Sequence, residues 1–175
     1  MNLSRRLNRK RSPIAANIVL FLAFACVSAA LAQTTASPKE APVTLHAAGP
    51  FDVKVTPQEG ESDDPLLARM TLDKQYHGDL EAKGKGQMLT AGTGVKGSGA
   101  YVAIEKVSGI LQGRTGTFVL QHNGTMTQNN PQLNITVVPD SGTGQLTGIT
   151  GTMTITIAPG GKHSYDLEYT LPKAD

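Results

Sequence analysis

Hydrophobic and polar residues alternate with a period of two along the second half of the chain. The segment 152–157 places its aliphatic residues on one face and its threonines on the other, and the segments 132–137 and 163–171 alternate in the same way. Because successive side chains of a β-strand point to opposite sides, each segment is predicted to be a strand with one buried face. Helical periodicity is absent from residue 43 onward, so the pattern predicts an all-β domain.

A glycine-containing pattern occurs twice in this domain. The segments 109–118 and 144–153 both fit G-x-L-x-G-x-x-G-T-[FM]. Glycine adopts positive φ at a bend without steric cost. Each copy is therefore predicted to be a strand, a bend and a second strand, which together form a hairpin.

Turn-forming residues separate about eight predicted strands. These lie near 43–55, 66–77, 79–90, 100–108, 110–112, 116–128 and 132–138, and 144–171 holds two or three more. Closure of sequential antiparallel strands removes exposed edges, so we expect a small antiparallel β-barrel of about eight strands. The residues expected in its core include Phe118, Leu120, Leu133, Ile135, Met153, Ile155 and Ile157.

The segment 101–107 departs from this alternation because both of its faces are largely apolar. A strand that is covered on both sides has a core on one face and another element on the other. We expect the second face to meet a helix or another subunit, so a homo-oligomer is one possible assembly.

The N-terminus has the organisation of a signal peptide. A basic stretch at 5–11 precedes an apolar run at 14–27, and Ala30-Leu31-Ala32 provides the small residues that signal peptidase recognises. We expect a signal peptide at 1–32, a flexible linker at 33–42 and a barrel domain at 43–175. The expected location is periplasmic or secreted, without membrane association after cleavage.

Other export routes stay open. A permanent anchor would need a longer apolar run than 14–27 provides. A lipoprotein would use Cys26, although the residues before it match the required motif poorly, and Arg5-Arg6 permits twin-arginine export.

Removal of this leader changes the charge of the protein. The full chain has 16 Lys and Arg against 14 Asp and Glu, and five of the basic residues precede position 33. The remainder is therefore slightly acidic, which gives no indication of nucleic-acid binding. It also lacks cysteine, which excludes disulfides and thiol chemistry.

No motif in the chain indicates a cofactor or a metal. The segment 92–97 fits G-x-G-x-x-G, but β-type sequence on both sides lacks the helix that a dinucleotide site requires. His46, His77, His122 and His163 show no metal-ligand spacing. We therefore expect neither a cofactor nor a bound metal.

Glu105 and His122 are the candidate catalytic residues. Glu105 lies in the most apolar strand, where a buried carboxylate needs a partner, and Arg114, Lys106 and Lys74 are possible partners. His122 shares a face with buried hydrophobic residues, and its side chain exchanges protons near neutral pH. Either residue could act as an acid or base, or could belong to a structural ion network. The tyrosines at 76, 101, 165 and 169 are expected in the core or lining a cavity.

Several runs of residues carry a family resemblance. These are Lys-Gln-Tyr-His-Gly-Asp-Leu at 74–80, Gly-Gln-Met-Leu at 86–89, the segments 101–109 and 113–122, and Val-Val-Pro-Asp-Ser-Gly-Thr-Gly at 137–144. The chain resembles a bacterial family of uncharacterised proteins with an allene-oxide-cyclase-like barrel. The resemblance implies the same β-barrel fold. The wider superfamily includes plant allene oxide cyclases and dirigent proteins, which bind hydrophobic or phenolic molecules and use no cofactor; none of their catalytic residues maps onto this chain.

Three functions follow as hypotheses from this fold. The first is binding of a small, partly hydrophobic ligand in the barrel, the second is a cofactor-free isomerase or cyclase, and the third is a structural protein with a filled barrel. The predicted site consists of Tyr101, Glu105, Arg114, His122 and Lys74, which we expect to converge near one end of the barrel interior. The alternative role for this cluster is a buried ion network that fixes strand register.

Overall fold

The structure is a computed structural model that describes residues 43–59 and 64–173. The predicted signal peptide at 1–32 and the predicted linker at 33–42 lie outside the described residues. Within these residues, no helix is long and apolar enough to span a bilayer.

Nine strands make up the described part of the chain. They are β1 (Leu45–Pro57), β2 (Leu67–Tyr76), β3 (Leu80–Gly92), β4 (Gly99–Leu111), β5 (Arg114–Thr127), β6 (Asn130–Val137), β7 (Thr143–Gly144), β8 (Thr150–Ile157) and β9 (His163–Thr170). All of their pairings are antiparallel.

Eight of these strands close into a barrel, which confirms the predicted fold. The order around the barrel is β4-β3-β2-β1-β9-β8-β6-β5, and pairing of β4 with β5 closes it. The two-residue β7 adds to β5 through Gly116 and Thr117. The weakest seam lies between β6 and β8, where Thr136 and Thr152 form one paired position.

The first glycine repeat forms a hairpin, although its bend is later than expected. The segments 100–108 and 110–112 belong to one strand, because Gly109 continues β4 and packs closely against Ala82 on β3. The turn lies at Gln112 and Gly113, which both have positive φ.

The second repeat does not form a hairpin, so that prediction is wrong. Its first strand, β7, pairs with β5, whereas its second strand, β8, pairs with β6 and β9. The connection between β7 and β8 instead contributes Leu146 and Ile149, which are fully buried. These two side chains help to close one end of the barrel.

The end of the barrel that Leu146 and Ile149 close is filled by side chains, whereas the opposite end is open. The filled end contains fully buried side chains from several strands, namely Leu80, Leu111, Phe118, Leu146, Ile149 and Tyr169. At the open end, Leu133 and Ile157 are 41% and 63% exposed. The prediction that these two residues are buried is wrong, because their side chains point inward but line the open mouth of the barrel. Phe118, Leu120, Ile135 and Met153 are buried as predicted, and Ile155 is partly buried.

The outer face of β4 is apolar as the sequence indicated. Val102 and Ile104 are 50% and 53% exposed, and Leu89 on β3 lies opposite Val102. No helix or other element in the described ranges packs over them, so the predicted helix is absent there. A broad depression of about 650 Å³ follows this face, with Lys85 and Lys106 among its lining. A second subunit on this face stays a prediction.

Candidate functional site

A buried carboxylate lies at the centre of the candidate site. Glu105 points inward from β4 and is fully buried. Its Oε1 atom accepts a hydrogen bond of 2.8 Å from the Tyr76 hydroxyl, and its Oε2 atom accepts one of 2.7 Å from Lys74 Nζ. Both oxygens are therefore occupied, which offsets the cost of burying the charge.

Lys74 is the cation that compensates Glu105. Its side chain is 5% exposed, and its Nζ atom also donates to the Tyr76 hydroxyl at 3.1 Å. The same atom lies 5.1 Å from the centre of the Phe51 ring and 5.5 Å from that of Tyr76, within the range of cation–π attraction. Lys74 and Tyr76 share a face because they are two residues apart on β2.

The other two candidate partners of Glu105 lie elsewhere. Lys106 is the next residue on β4, so it points outward and is exposed. Arg114 is exposed at the start of β5, where it pairs with Leu111 at the filled end. The expectation that Arg114 converges with Glu105 is therefore wrong, because five residues of extended β4 lie between Glu105 and Leu111.

His122 faces inward, as its position in the alternation predicted. Its side chain is 2% exposed, and its Nε2 atom lies 3.1 Å from Glu105 Oε2. This contact has the distance of an ion pair, but it lacks the geometry of a hydrogen bond. Nε2 is consequently a buried nitrogen without a hydrogen-bond partner among the described residues.

The surroundings shift the pKa values of two groups in opposite directions. Burial alone would raise the pKa of Glu105, but the contacts with His122 and Lys74 outweigh it and hold that pKa below its usual value. Burial raises the pKa of Tyr76 far above its usual value, and the charge of Glu105 raises it further. Glu105 is therefore held as a carboxylate and Tyr76 as a neutral hydrogen-bond donor.

Two glycines leave space for side chains of the site. A Cβ atom on Gly84 of β3 would overlap the Glu105 carboxyl group and meet the Tyr76 ring. A Cβ atom on Gly124 of β5 would overlap the ring of Tyr101, which lies across this strand. Glycine inside a strand commonly marks such a close approach.

A cavity of about 170 Å³ opens at the unfilled end of the barrel, above this cluster. Lys74, Tyr101 and His122 contribute to its lining, whereas the fully buried Glu105 lies behind them. The rest of the lining is mainly apolar and consists of Phe51, Val53, Val55, Leu72, Met88, Leu133, Ile155, Ile157 and His163. We call this space the mouth cavity.

Sequence reasoning missed several features of this site. Tyr76 was expected in the core or lining a cavity, but not as a donor to Glu105, although its spacing from Lys74 places both on one face. The glycines at 84 and 124 were available signals, since each interrupts an otherwise regular strand. Leu133 and Ile157 were assigned to the core, because alternation alone does not distinguish a packed interior from a cavity wall.

The described residues contain no cluster of three or more His, Cys, Asp or Glu that could hold a metal ion. The polar groups at the mouth cavity are the amine of Lys74, the phenol of Tyr101 and the imidazoles of His122 and His163. They can donate hydrogen bonds, and the imidazoles can also accept a proton.

These features define a small antiparallel barrel with one filled end and one open end above a buried ion cluster. The model of the family described as a protein of unknown function, DUF3224, matches residues 47–169. The chain therefore belongs to the DUF3224 family, which confirms the resemblance to a family of uncharacterised barrel proteins.

A solved structure supports the same assignment. The chain is similar to the crystal structure of a protein with unknown function from the DUF3224 family from Shewanella oneidensis MR-1. The two are 47% identical with a TM-score of 0.71, and the match covers 75% of this chain and 100% of that one. No functionally curated protein matches this chain significantly.

Proposed function

We propose that this barrel binds a small, partly hydrophobic ligand in the mouth cavity. One observation carries the proposal, which is the position of His122. Its Nε2 atom is buried without a hydrogen-bond partner in the described structure, at the boundary between an ion cluster and an apolar cavity. Ligand sites commonly combine an apolar lining with a few polar groups that fix orientation.

The size of the cavity limits the ligand. A volume of about 170 Å³ is below the range typical of sites for drug-sized molecules. The ligand is therefore small, or part of it extends through the mouth between the exposed side chains of Leu133 and Ile157. An interior with this mixture of packed and open space is expected near eight strands.

The two alternative functions receive less support from the geometry. A barrel filled throughout does not account for the open end. An isomerase or cyclase needs an acid or base in contact with its substrate, and Glu105 is separated from the mouth cavity by its own partners. His122 lines the cavity and is the residue through which such an activity would operate.

Thermal unfolding in the presence of small apolar compounds tests the proposal. A ligand that binds the folded state raises the melting temperature. Ile155→Trp fills part of the cavity and should abolish this increase. Val102→Trp adds the same ring at an exposed position on the outer face and should preserve it. Retention of the increase in Ile155→Trp, at unchanged folding by circular dichroism, would place binding elsewhere.

The ligand itself can be sought in the native host. Mass spectrometry of protein purified from that host under non-denaturing conditions should detect a bound small molecule. Ile155→Trp purified in parallel should carry less of it, whereas Val102→Trp should carry as much as the unmodified protein.

We also propose that the protein functions outside the cytoplasm. The basic stretch at 5–11, the apolar run at 14–27 and Ala30-Leu31-Ala32 support this location. N-terminal sequencing of the protein from cell fractions should find a chain that begins at Gln33. A full-length cytoplasmic chain, or a lipidated Cys26, would contradict the proposal.

A further inference from the structure

Three of the four polar side chains of the mouth cavity lie on one side of the barrel. Lys74 is on β2, Tyr101 on β4 and His122 on β5, and these strands belong to the continuous run β2-β3-β4-β5. The opposite wall, on β6, β8, β9 and β1, is mainly apolar and includes Leu133 and Ile155, with His163 of β9 as its polar side chain. A bound molecule would therefore meet three polar side chains on one side and a mainly hydrocarbon wall on the other.

Negative charge is excluded from the cavity wall. Among the described residues that line it, none carries a carboxylate. The nearest one, Glu105, is fully buried and already accepts hydrogen bonds from Lys74 and Tyr76. A ligand at the polar side thus meets groups that can donate hydrogen bonds. The Glu105 carboxylate lies behind these groups, and Lys74 compensates its charge.

One of these groups has unused hydrogen-bonding capacity, and a second makes only an ion-pair contact with Glu105. The Tyr101 hydroxyl makes no hydrogen bond within the described residues, and burial together with the charge of Glu105 raises the pKa of Tyr101. It is therefore a neutral donor at physiological pH. The Nε2 atom of His122, on the neighbouring strand, is buried 3.1 Å from Glu105 Oε2 and has no partner with hydrogen-bond geometry there. Tyr101 and His122 lie close to one another, because His122 pairs with Ala103, two residues from Tyr101.

We propose that the ligand of the mouth cavity is a small amphiphilic anion whose carboxylate accepts a hydrogen bond from the Tyr101 hydroxyl and lies beside the His122 ring. Its hydrocarbon part lies against Leu133, Ile155 and Ile157. This inference rests on the proposed function and adds the chemical class of the ligand. Hydrogen bonds to an ionised group are stronger than those between neutral groups, so the head group should control affinity.

A single introduced tryptophan can measure this preference. The chain has no native tryptophan, and Leu133 is 41% exposed at the mouth, so Leu133→Trp places a fluorescent reporter beside the ligand without disturbing the packed core. Octanoate, octanol and octylammonium have the same hydrocarbon chain and differ in charge. Titrations at neutral pH, below micelle-forming concentrations, should show octanoate binding about tenfold more tightly than octanol and octylammonium binding most weakly.

A second substitution tests the assigned donor. Tyr101→Phe retains the ring that packs against Gly124 and removes the hydroxyl. In the Leu133→Trp background it should weaken octanoate binding by about tenfold and change octanol binding much less. Val102→Trp, with its reporter on the outer face, should not respond to any of the three compounds.

The possible results separate the ligand class from the binding function. Equal or tighter binding of octanol, or no effect of Tyr101→Phe on octanoate, overturns the anionic class and leaves ligand binding intact. Absence of any response from the Leu133→Trp reporter contradicts both proposals. An equal response from the Val102→Trp reporter shows adsorption to the surface and also overturns the inference.

Discussion

Gly84 and Glu105 lie against each other on adjacent strands, and the carboxyl group of Glu105 occupies the space that a side chain at position 84 would fill. The closeness of the two residues explains why β3 contains a glycine in its buried middle. Glycine weakens a strand through its backbone entropy, so its presence here indicates that space for the ion cluster outweighs this cost.

Replacement of Gly84 by alanine should destabilise the protein. The added methyl group would displace Glu105 from its partners Lys74 and Tyr76, and overpacking of this kind costs about 1–3 kcal/mol. The free energy of unfolding from urea denaturation measures this loss. Gly94→Ala is the matched control because a Cβ atom there meets nothing within 4 Å. Equal stability of the two variants would show that Glu105 can move without cost.

Removal of the charge of Glu105 should be more damaging than removal of the whole ion pair. Glu105→Gln leaves the Lys74 ammonium buried without a counter-charge, which costs about 3–5 kcal/mol. The double variant Lys74→Met/Glu105→Gln should be less destabilised than Glu105→Gln alone, and therefore less than the sum of the two single variants. Urea denaturation of all four proteins in the cycle gives the coupling energy, and additive effects would contradict a direct interaction.

Acidification should remove the stabilisation that the Glu105 carboxylate provides through its ion pair with Lys74. The pKa of Glu105 is lower in the folded protein than in the unfolded chain, so the stabilisation is present above the unfolded value of about 4.3. It is lost as the pH falls from there through the folded pKa. The difference in unfolding free energy between the unmodified protein and Glu105→Gln should therefore narrow over this range. A difference that is constant with pH would contradict the lowered pKa.

The fold was predictable from local sequence because strand periodicity and turn residues are local signals. The inward position of His122 follows from its place in the alternation with Phe118 and Leu120. The contacts of the site were harder to predict. Lys74 on β2 and Glu105 on β4 are 31 residues apart, and their side chains make contact across β3, which lies between the two strands. Arg114 illustrates the same difficulty. It is near Glu105 in sequence, but β4 runs from Glu105 toward the filled end of the barrel, and Arg114 lies at that end.

The alternation pattern also does not indicate where along the barrel axis a residue lies. Phe118 and Ile157 both point inward, but Phe118 is fully buried near the filled end and Ile157 is 63% exposed at the mouth. Which end is filled depends on Leu146 and Ile149, in a segment that was predicted to be part of a hairpin. The loop that carries these two residues packs into the end of the barrel, and such a tertiary contact has no periodic signal in the sequence.

These two residues give a direct test of the difference between the ends. Phe118→Ala should lower the free energy of unfolding by about 3–5 kcal/mol, because it leaves a cavity in a closed core. Ile157→Ala should change it by less than about 1 kcal/mol, since much of this side chain is already in contact with water. Similar losses for both variants, measured by urea denaturation, would indicate that the mouth is closed in solution.

The tyrosines provide a test at alkaline pH. The chain contains four tyrosines and no tryptophan, so tyrosinate absorbance can be followed without interference. Burial raises the pKa of Tyr165 to about 12, although a hydrogen bond from the Leu80 amide opposes the shift, and burial is also the main cause of the raised pKa values of Tyr76, Tyr101 and Tyr169. Because each folded pKa lies above the unfolded value of about 10, the contribution of the neutral tyrosines to stability is complete below that pH. It is lost as the pH rises through the folded pKa values, and that of Tyr165 is about 12.

Titration of the folded protein should accordingly show little tyrosinate near pH 10, followed by a cooperative increase that coincides with loss of the β-sheet circular-dichroism signal. The urea-unfolded chain should titrate near the ordinary tyrosine value of about 10. Tyr101 is only half-buried and should ionise first, so Tyr101→Phe should remove the earliest part of the increase and leave the cooperative step. Independent ionisation of two or more tyrosines near pH 10, with the sheet intact, would contradict the packed interior described for Tyr76, Tyr165 and Tyr169.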